Sequence, residues 1–211
     1  MANDLTLLYI HADKLSDKWV AFHREQLDKL PYPLIDLYDE KKISYQRIYD
    51  QLLIGCKQAT TKYIAVIEDD VLYPPEHFNR FRPKDDEFSY DQHRWALIDY
   101  KEPIYSWRNR VSNCSLIANR EFTIKVLEER NEICPNDWKY VGELGRWRID
   151  AKNGFKPHKL VEWYSTVGII QMNHNYGTEE RQRINRKDHG PVRAYDIPYW
   201  GKASEILNKF K

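Results

Sequence analysis

Glycine, cysteine and long apolar runs are all scarce in this sequence, and each scarcity excludes a class of protein. Only 8 of the 211 residues are glycine, and the chain contains no GxGxxG, GxxxxGK[ST] or GxSxG pattern. The usual signatures of dinucleotide-binding, P-loop and α/β-hydrolase proteins are therefore missing. Cys56, Cys114 and Cys134 are far apart and form no CxxC pair, so the sequence predicts neither a disulfide framework nor a zinc site.

The apolar runs are only about as long as a strand, so we expect no membrane span. The first residues, Met1–Asp4, show neither the basic region nor the apolar core of a signal peptide. This favours a cytoplasmic location, in a bacterium or in a host cell if the chain is phage-encoded. Lysine and arginine number 33 against 32 aspartates and glutamates. The balance excludes a strongly basic coat for nucleic acid but leaves room for local basic patches.

The first third of the chain alternates apolar runs with amphipathic segments. Runs at 5–10, 34–38 and 63–67 predict strands, and apolar residues at helical spacing predict helices after Ser16 and after Ser44. This order is a βαβαβ unit, which forms a right-handed parallel sheet with helices on its faces. The sequence therefore predicts an α/β fold.

The second half of the chain is less regular. Residues 79–94 are charged and lack a period, so we expect a loop there. Candidate strands lie at 95–98, 114–118 and 167–172, and candidate helices lie at 121–130 and 203–210. A length of 211 residues with 42% apolar and 31% charged residues fits one globular domain.

Three consecutive carboxylates follow the third predicted strand. Glu68, Asp69 and Asp70 come directly after the buried run, where ligands bind in open α/β sheets. Neighbouring carboxylates repel each other unless a cation compensates, and Mg²⁺ and Mn²⁺ prefer oxygen ligands. Alternation along an extended chain predicts that Glu68 and Asp70 face a ligand together and that Asp69 faces the other side. A solvated acidic loop is the alternative.

The run Ala59–Asp70, followed by Leu72–Phe78, resembles the core of GT-A-fold glycosyltransferases, most closely their family 2-like members. In those enzymes a DxD-type motif after an apolar strand binds a divalent metal and a nucleotide-sugar diphosphate. The resemblance implies a GT-A (Rossmann-like) α/β fold with a mixed, mostly parallel sheet flanked by helices. It implies one domain over residues 1–211, with a nucleotide-sugar-binding half at about 1–80 and an acceptor and catalytic half at about 81–211. Mn²⁺ or Mg²⁺ would be the cofactor and a UDP-sugar or other nucleotide sugar the donor.

The same resemblance assigns metal ligands. Glu68 and Asp70 take the two acidic places of the motif, with Asp70 as the preferred direct ligand and Glu68 in place of the family's aspartate. A third ligand often comes from the C-terminal part of the family's chains. His174 follows an apolar strand at that place, and His189 is the competitor.

Donor contacts are implied at the ends of the first two strands. Tyr9 and His11 follow the first strand, and Asp36 and Asp39 lie in and after the second. Carboxylates suit ribose hydroxyls and base N–H groups, which are hydrogen-bond donors. Structural roles for His11 and Asp39 are the alternatives. The full set expected to contact the donor is Tyr9, His11, Asp36, Asp39, Glu68 and Asp69.

Inverting members of the family use an aspartate or glutamate as base at the start of a helix. Glu143 and Asp137 are the candidates, and Glu143 is preferred because Gly142 and Gly145 allow a close approach of the backbone to a ligand. The Glu-Asp pair usual in the family is absent. An exposed glutamate with no catalytic role is the alternative.

Two segments place arginine beside tryptophan. Trp107, Arg108 and Arg110 form the first, and Arg148 belongs to the second. Such pairs suit phosphate contacts with base stacking, and equally suit sugar stacking. We interpret these residues as acceptor-binding. In size the chain is similar to small phage glycosyltransferases that modify hydroxymethylpyrimidine DNA, so DNA and a surface glycan are the leading acceptor classes.

Other functions compete with glycosyl transfer. The substituted motif and the missing Glu-Asp pair favour a catalytically inactive GT-A-like module that binds nucleic acid or glycan. A metal-dependent phosphodiesterase also uses acidic strand ends, but it usually needs further carboxylates in register. A nucleotidylyltransferase usually has a glycine-rich basic loop after its first strand, which is missing here. No obligate protein partner is predicted. Residues 178–187 are arginine-rich and are interpreted as a lid over the diphosphate.

Overall fold

The computed structural model describes residues 4–12, 15–38, 45–99, 102–135, 142–173 and 192–211. Its first elements are the predicted βαβαβ unit, namely β1 (Leu5–His11), α1 (Asp17–Asp28), β2 (Leu34–Tyr38), α2 (Tyr45–Gln58) and β3 (Tyr63–Glu68). Both β2 and β3 pair with β1 in parallel. The Ser16 side chain accepts a hydrogen bond from the amide of Trp19, which confirms the predicted start of α1.

A six-stranded mixed sheet continues from this unit in the order β2, β1, β3, β8, β5, β9. The added strands are β5 (Glu87–Asp91), β8 (Leu116–Asn119) and β9 (Lys159–Trp163). The β8 strand is antiparallel to both β3 and β5, whereas β9 is parallel to β5. The carboxyl ends of β1, β2 and β3 therefore lie at one edge of the parallel part.

A second mixed sheet of five strands has the order β11, β7, β6, β10, β4. Its strands are β4 (Val71–Leu72), β6 (Arg94–Ile98), β7 (Ile104–Trp107), β10 (Ile169–Met172) and β11 (Arg193–Ala194). A small hairpin pairs β12 (Asp196–Ile197) with β13 (Gly201–Lys202). Because β4 follows β3 after a two-residue turn, the second sheet begins where the acidic residues lie.

Four further helices flank the sheets. They are α3 (Pro75–Asn79), α4 (Arg120–Ile133), α5 (Trp147–Asn153) and α6 (Ala203–Phe210), and a short 3₁₀ helix spans Asn113–Ser115. The helices predicted at 121–130 and 203–210 are confirmed as α4 and α6. None of the helices in the described ranges is long and apolar enough to cross a membrane.

Among the described residues four apolar clusters are buried, and the three largest connect these layers. One contains Leu52 of α2 and Val126 of α4, packed with strand residues such as Val66. The second contains Leu7 and Ile67 with Leu27 of α1. The third packs α1 and α6 against the five-stranded sheet. The chain therefore forms an α/β architecture with mixed sheets flanked by helices, which confirms the predicted fold class.

The loop predicted over residues 79–94 is wrong. This segment contains β5 and the start of β6, and all five residues of β5 are buried. Its charged ends have partners inside the fold: Glu87 pairs with Lys159 at 2.5 Å, and Asp91 accepts a hydrogen bond from His77 at 3.1 Å. From the sequence alone such charges are expected in solvent, because the pattern does not show that partners distant in the chain lie close in the fold.

Candidate functional site

The three acidic residues lie at the junction of the two sheets. Glu68 is the last residue of β3, Asp69 and Asp70 form a turn, and β4 begins at Val71. Strand alternation therefore stops at Glu68 and does not determine where the carboxylates of Asp69 and Asp70 point. We call residues 68–70 the acidic turn.

Two side chains of α1 hold the backbone of the acidic turn. The indole Nε1 of Trp19 donates to the carbonyl of Asp69 at 2.7 Å, and Nε2 of His23 donates to the carbonyl of Val71 at 2.7 Å. His23 is buried, and burial lowers the pKa of its imidazole to about 4 in spite of the nearby Asp70. The neutral ring thus serves as a hydrogen-bond donor at neutral pH.

Two further bonds complete this support. The amide of Met172 in β10 donates to the carbonyl of Asp70 at 2.8 Å. The amide of Glu68 donates to the hydroxyl of Tyr73 at 3.1 Å. The backbone is therefore held from α1, from β10 and from the segment after β4, which keeps three mutually repelling carboxylates close together.

The surroundings of Glu68 disfavour the charged form of its carboxyl group. Although part of its surface remains accessible, enclosure by the surrounding protein is the largest cause that raises its pKa, to about 8. The charges of Asp70 and then Asp69 raise this pKa further, whereas Arg94 lowers it. Glu143 also acts on Glu68, so a residue from the second half of the chain lies within electrostatic range of the acidic turn.

Arg94 is a buried cation beside these carboxylates, with only 1% of its surface exposed. Its Nη1 donates to the side-chain oxygen of Gln171, and its Nη2 lies 3.5 Å from the carbonyl of Arg110. Its Nε has no hydrogen-bond partner among the described residues. The charges of Glu68 and Glu143 both act on its guanidinium. Arg94 therefore supplies a positive charge that opposes the negative charges of the acidic turn and of the candidate base.

Glu143 lies in the loop before α5, four residues ahead of the first helical residue, Trp147. Its carboxylate accepts a hydrogen bond from Nη1 of Arg146 at 2.8 Å, and about a fifth of its side chain is exposed. The charge of Glu143 acts on both Glu68 and Arg94.

Three of the residues expected to contact the donor, Tyr9, His11 and Asp36, form a second group near the carboxyl ends of β1 and β2. Nε2 of His11 lies 2.6 Å from Oδ1 of Asp36, and Arg24 forms an ion pair with the other oxygen of that carboxylate. The rings of Tyr9 and His11 stack at 4.6 Å, and the Arg24 guanidinium lies 4.7 Å above Tyr9. The Tyr9 ring is 5.5 Å from His23, so this group adjoins the acidic turn.

The residues expected to bind the acceptor are only partly brought together. The carbonyl of Arg110 lies beside Arg94, and the amide of Arg108 donates to the carbonyl of Arg94 at 2.8 Å. Trp107 pairs with Trp95 across β6 and β7, and strand alternation puts both on the sheet face opposite the Arg94 side chain. In α5, the guanidinium of Arg148 lies 5.1 Å above the exposed ring of Trp147.

Several predicted residues lie outside the described ranges: Asp39, Asp137, His174, His189 and the segment 178–187. Within those ranges no three or more histidine, cysteine, aspartate and glutamate side chains are grouped so that they could hold a metal ion.

The sequence did not identify three of the residues that shape this site. Trp19 and His23 have the spacing of an apolar helix face, and nothing in the pattern indicates that their ring nitrogens reach the acidic turn. Arg94 fell in the segment interpreted as a loop. The sequence held one indication of this role. Arg94 directly precedes the apolar run 95–98, and a charged residue at the start of a buried strand needs a partner nearby in the fold.

A scan against models of known protein families gives no match, and a search of curated protein sequences gives none either. Solved structures do show similarity of fold. A glycosyltransferase involved in the glycosylation of the major capsid of PBCV-1 aligns with a TM-score of 0.46 and 12% identity, over 79% of this chain and 92% of that one.

A mutant of Drosophila β-1,4-galactosyltransferase 7, in complex with manganese, UDP-Gal and xylobiose, aligns with a TM-score of 0.47 and 12% identity. That alignment covers 88% of this chain and 82% of the other. The inositol-1-phosphate CTP transferase from T. maritima aligns with a TM-score of 0.37 and 11% identity, over 80% and 69%. All three TM-scores are below 0.5, and the likeness concerns the fold alone.

Proposed function

We propose that this protein is a metal-dependent glycosyltransferase that moves a sugar from a nucleotide-sugar donor to a hydroxyl acceptor. The proposal rests on one observation. The acidic turn and the His11–Asp36 pair lie side by side at the carboxyl ends of the parallel strands of one sheet. In open α/β sheets this edge is where nucleotides bind. The Asp36 carboxylate suits the ribose or base of the donor, and the acidic turn suits its diphosphate through a cation.

The acidic turn offers carboxylates to a hard divalent cation, but no group of three possible ligands is formed within the described residues. Carboxylate oxygens are the ligands that Mn²⁺ and Mg²⁺ prefer, and such cations commonly bridge one or two carboxylates to substrate phosphates. The pKa of Glu68 is raised chiefly by burial and further by the charges of Asp70 and Asp69, and a cation would offset the repulsion among these carboxylates. Asp70 and Glu68 would hold it, with His174 proposed as a further ligand. When bound, the cation would neutralise charge on the diphosphate.

Glu143 is the proposed base. The acceptor hydroxyl oxygen would attack the anomeric carbon while the carboxylate of Glu143 takes the hydroxyl proton. The bond from the anomeric carbon to the diphosphate oxygen breaks, and its electron pair leaves with the diphosphate. The positive charge of Arg94, on which both Glu143 and Glu68 act, would offset part of the repulsion between these two carboxylates. Arg108 and Arg110 are proposed to contact the acceptor, and DNA carrying hydroxymethylpyrimidines and a surface glycan remain the proposed acceptor classes.

The test is an assay of UDP-, GDP- and CMP-sugars with Mn²⁺, in which release of the nucleotide is measured. Water, a glycan and hydroxymethylpyrimidine DNA serve as acceptors, and Glu143→Gln serves as a control. Metal-dependent sugar transfer by the wild type, lost in Glu143→Gln, would support the proposal. Binding of nucleotide sugars without turnover would favour an inactive binding module instead. Cleavage of phosphodiesters without use of any nucleotide sugar would favour a phosphodiesterase.

A further inference from the structure

The loop that carries Glu143 is held by two buried tyrosine hydroxyls, one on each side of this residue. The hydroxyl of Tyr49 donates to the carbonyl of Gly142 at 2.8 Å, and the hydroxyl of Tyr90 donates to the carbonyl of Leu144 at 2.9 Å. Tyr49 belongs to α2 and Tyr90 to β5. The two bonds therefore reach the loop from different elements of the fold.

Both hydroxyls remain donors over the whole physiological range of pH. Tyr49 and Tyr90 are 2% and 0% exposed, and burial raises the pKa of each phenol well above its usual value. The Tyr49 oxygen also accepts a hydrogen bond from Nδ2 of Asn113 at 3.1 Å. Tyr49 thereby connects the Glu143 loop to the 3₁₀ helix that adjoins β8.

The rest of the loop is equally constrained. The side chain of Leu144 is buried in the same apolar cluster as both tyrosines. Gly145 has a φ of +82°, and a Cβ atom there would lie 3.2 Å from Leu160 and 3.3 Å from Phe88. The backbone at Gly142, Leu144 and Gly145 is therefore held by contacts with the apolar core. The carboxylate of Glu143 is held apart from this core, where Arg146 and the acidic turn act on it.

We propose that Tyr49 and Tyr90 are positioning residues, whose hydroxyls fix the carboxylate of Glu143 at the distance from the acidic turn that proton removal from the acceptor requires. This role rests on the proposed function. A base must lie within hydrogen-bond reach of the proton that it takes. Because a misplacement of about 1 Å can lower a rate about 100-fold, small shifts of the loop would be visible in kcat.

The experiment compares Tyr49→Phe, Tyr90→Phe and the double variant with the wild type. The probe is hydrolysis of UDP-galactose with Mn²⁺, or of whichever UDP-, GDP- or CMP-sugar the wild type consumes. We expect kcat to fall about 10-fold in each single variant and about 100-fold in the double variant, with KM for the donor changed less than about 2-fold. The activity of Glu143→Gln should be lost, whereas the tyrosine variants keep the wild-type pH profile at a lower plateau.

Tyr63→Phe is the matched control. Its hydroxyl also donates from a buried tyrosine to a backbone carbonyl, that of Pro83 at 3.2 Å, but at a distant loop. It should destabilise the fold by a similar amount, measured as the unfolding midpoint, and keep its kcat within about 2-fold. Gly145→Ala strains the same loop without touching either hydroxyl and should also lower kcat.

The outcomes separate this role from the proposed function. If the wild type is active, Glu143→Gln is inactive, and both tyrosine variants keep the kcat of Tyr63→Phe, the positioning role is overturned while the proposed function stands. If the wild type consumes no nucleotide sugar, both are overturned. A fall of kcat at constant KM in the tyrosine variants and in Gly145→Ala, absent in Tyr63→Phe, supports the positioning role.

Discussion

The amide of Met172 donates a hydrogen bond of 2.8 Å to the carbonyl oxygen of Asp70, and this bond joins the second half of the chain to the acidic turn. It extends the antiparallel pairing of β10 with β4, in which Gln171 lies opposite Val71. The described part of the chain therefore passes beside Asp70 at the end of β10.

Asp36 offers a direct test of the nucleotide pocket. Its carboxylate is held by His11 and Arg24, and in the proposed complex it would accept hydrogen bonds from the donor. Asp36→Asn should weaken binding of the nucleotide about 10-fold or more, because a charge-assisted hydrogen bond is lost. Isothermal titration with the free nucleotide measures the change. Asp28→Asn, at an exposed position near the end of α1, should bind like the wild type. If the wild type, Asp36→Asn and Asp28→Asn bind the nucleotide with equal affinity, the nucleotide does not bind at Asp36.

His23 should make the stability of the protein depend on pH. Its pKa is lowered from 6.5 to about 4 in the folded state, chiefly by burial, so the unfolded chain binds a proton first as the pH falls. Above pH 6.5 the neutral ring of His23 makes its full contribution to the free energy of unfolding. As the pH falls from 6.5 toward 4, the free energy of unfolding should decrease by up to about 3 kcal/mol.

Urea denaturation at several pH values between 4 and 7 measures this effect. His23→Gln keeps a donor for the Val71 carbonyl but cannot titrate, so its stability should change less over this range. His93→Gln, which alters a partly exposed histidine, should retain the slope of the wild type. An identical pH dependence in wild type and His23→Gln would show that His23 is not responsible.

The ion pair of Arg130 and Asp150 should be essential for stability. Nη2 of Arg130 lies 2.5 Å from Oδ1 of Asp150, and the two side chains are 2% and 0% exposed. Asp150→Asn leaves a buried guanidinium without its counter-charge, so the free energy of unfolding should fall by about 3–5 kcal/mol. The exposed pair of Lys29 and Glu25 is the comparison, and Glu25→Gln should leave the free energy of unfolding nearly unchanged. Chemical denaturation measures both, and a small loss in Asp150→Asn would contradict the estimate.

Two strands of the parallel half could be predicted from the sequence, because each is a continuous apolar run of strand length and segments with helical spacing separate the runs. β1 and β3 are such runs, and they are found where they were expected. β5 could not be predicted in this way. Its residues Glu87 and Asp91 are charged, and only Lys159 and His77, which are distant in the chain, make their burial possible.

The candidate site also contains features that the sequence predicts and others that it does not. The acidic turn stands out in the sequence because three carboxylates follow a buried strand. The hydroxyl of Tyr49 could not be assigned a role, because it reaches a carbonyl 93 residues away, at Gly142. Arg94 was missed for the same reason: its position beside Glu68 and Glu143 depends on how the two sheets meet. Strand ends are local features of a sequence, whereas the side chains that support them come from the tertiary fold.

The central claim is that the acidic turn binds a nucleotide through a divalent cation, and Asp70 tests it most directly. Thermal unfolding is measured with UDP, GDP and CMP, with and without Mn²⁺, for wild type, Asp70→Asn and Asp86→Asn. Asp86 is an exposed acid in the turn before β5. At about 100 times Kd, one nucleotide should raise the midpoint of the wild type and of Asp86→Asn by roughly 5–10 °C, only with Mn²⁺. Asp70→Asn should show no such rise. An equal rise in Asp70→Asn, or none in the wild type at millimolar nucleotide and Mn²⁺, would contradict the claim.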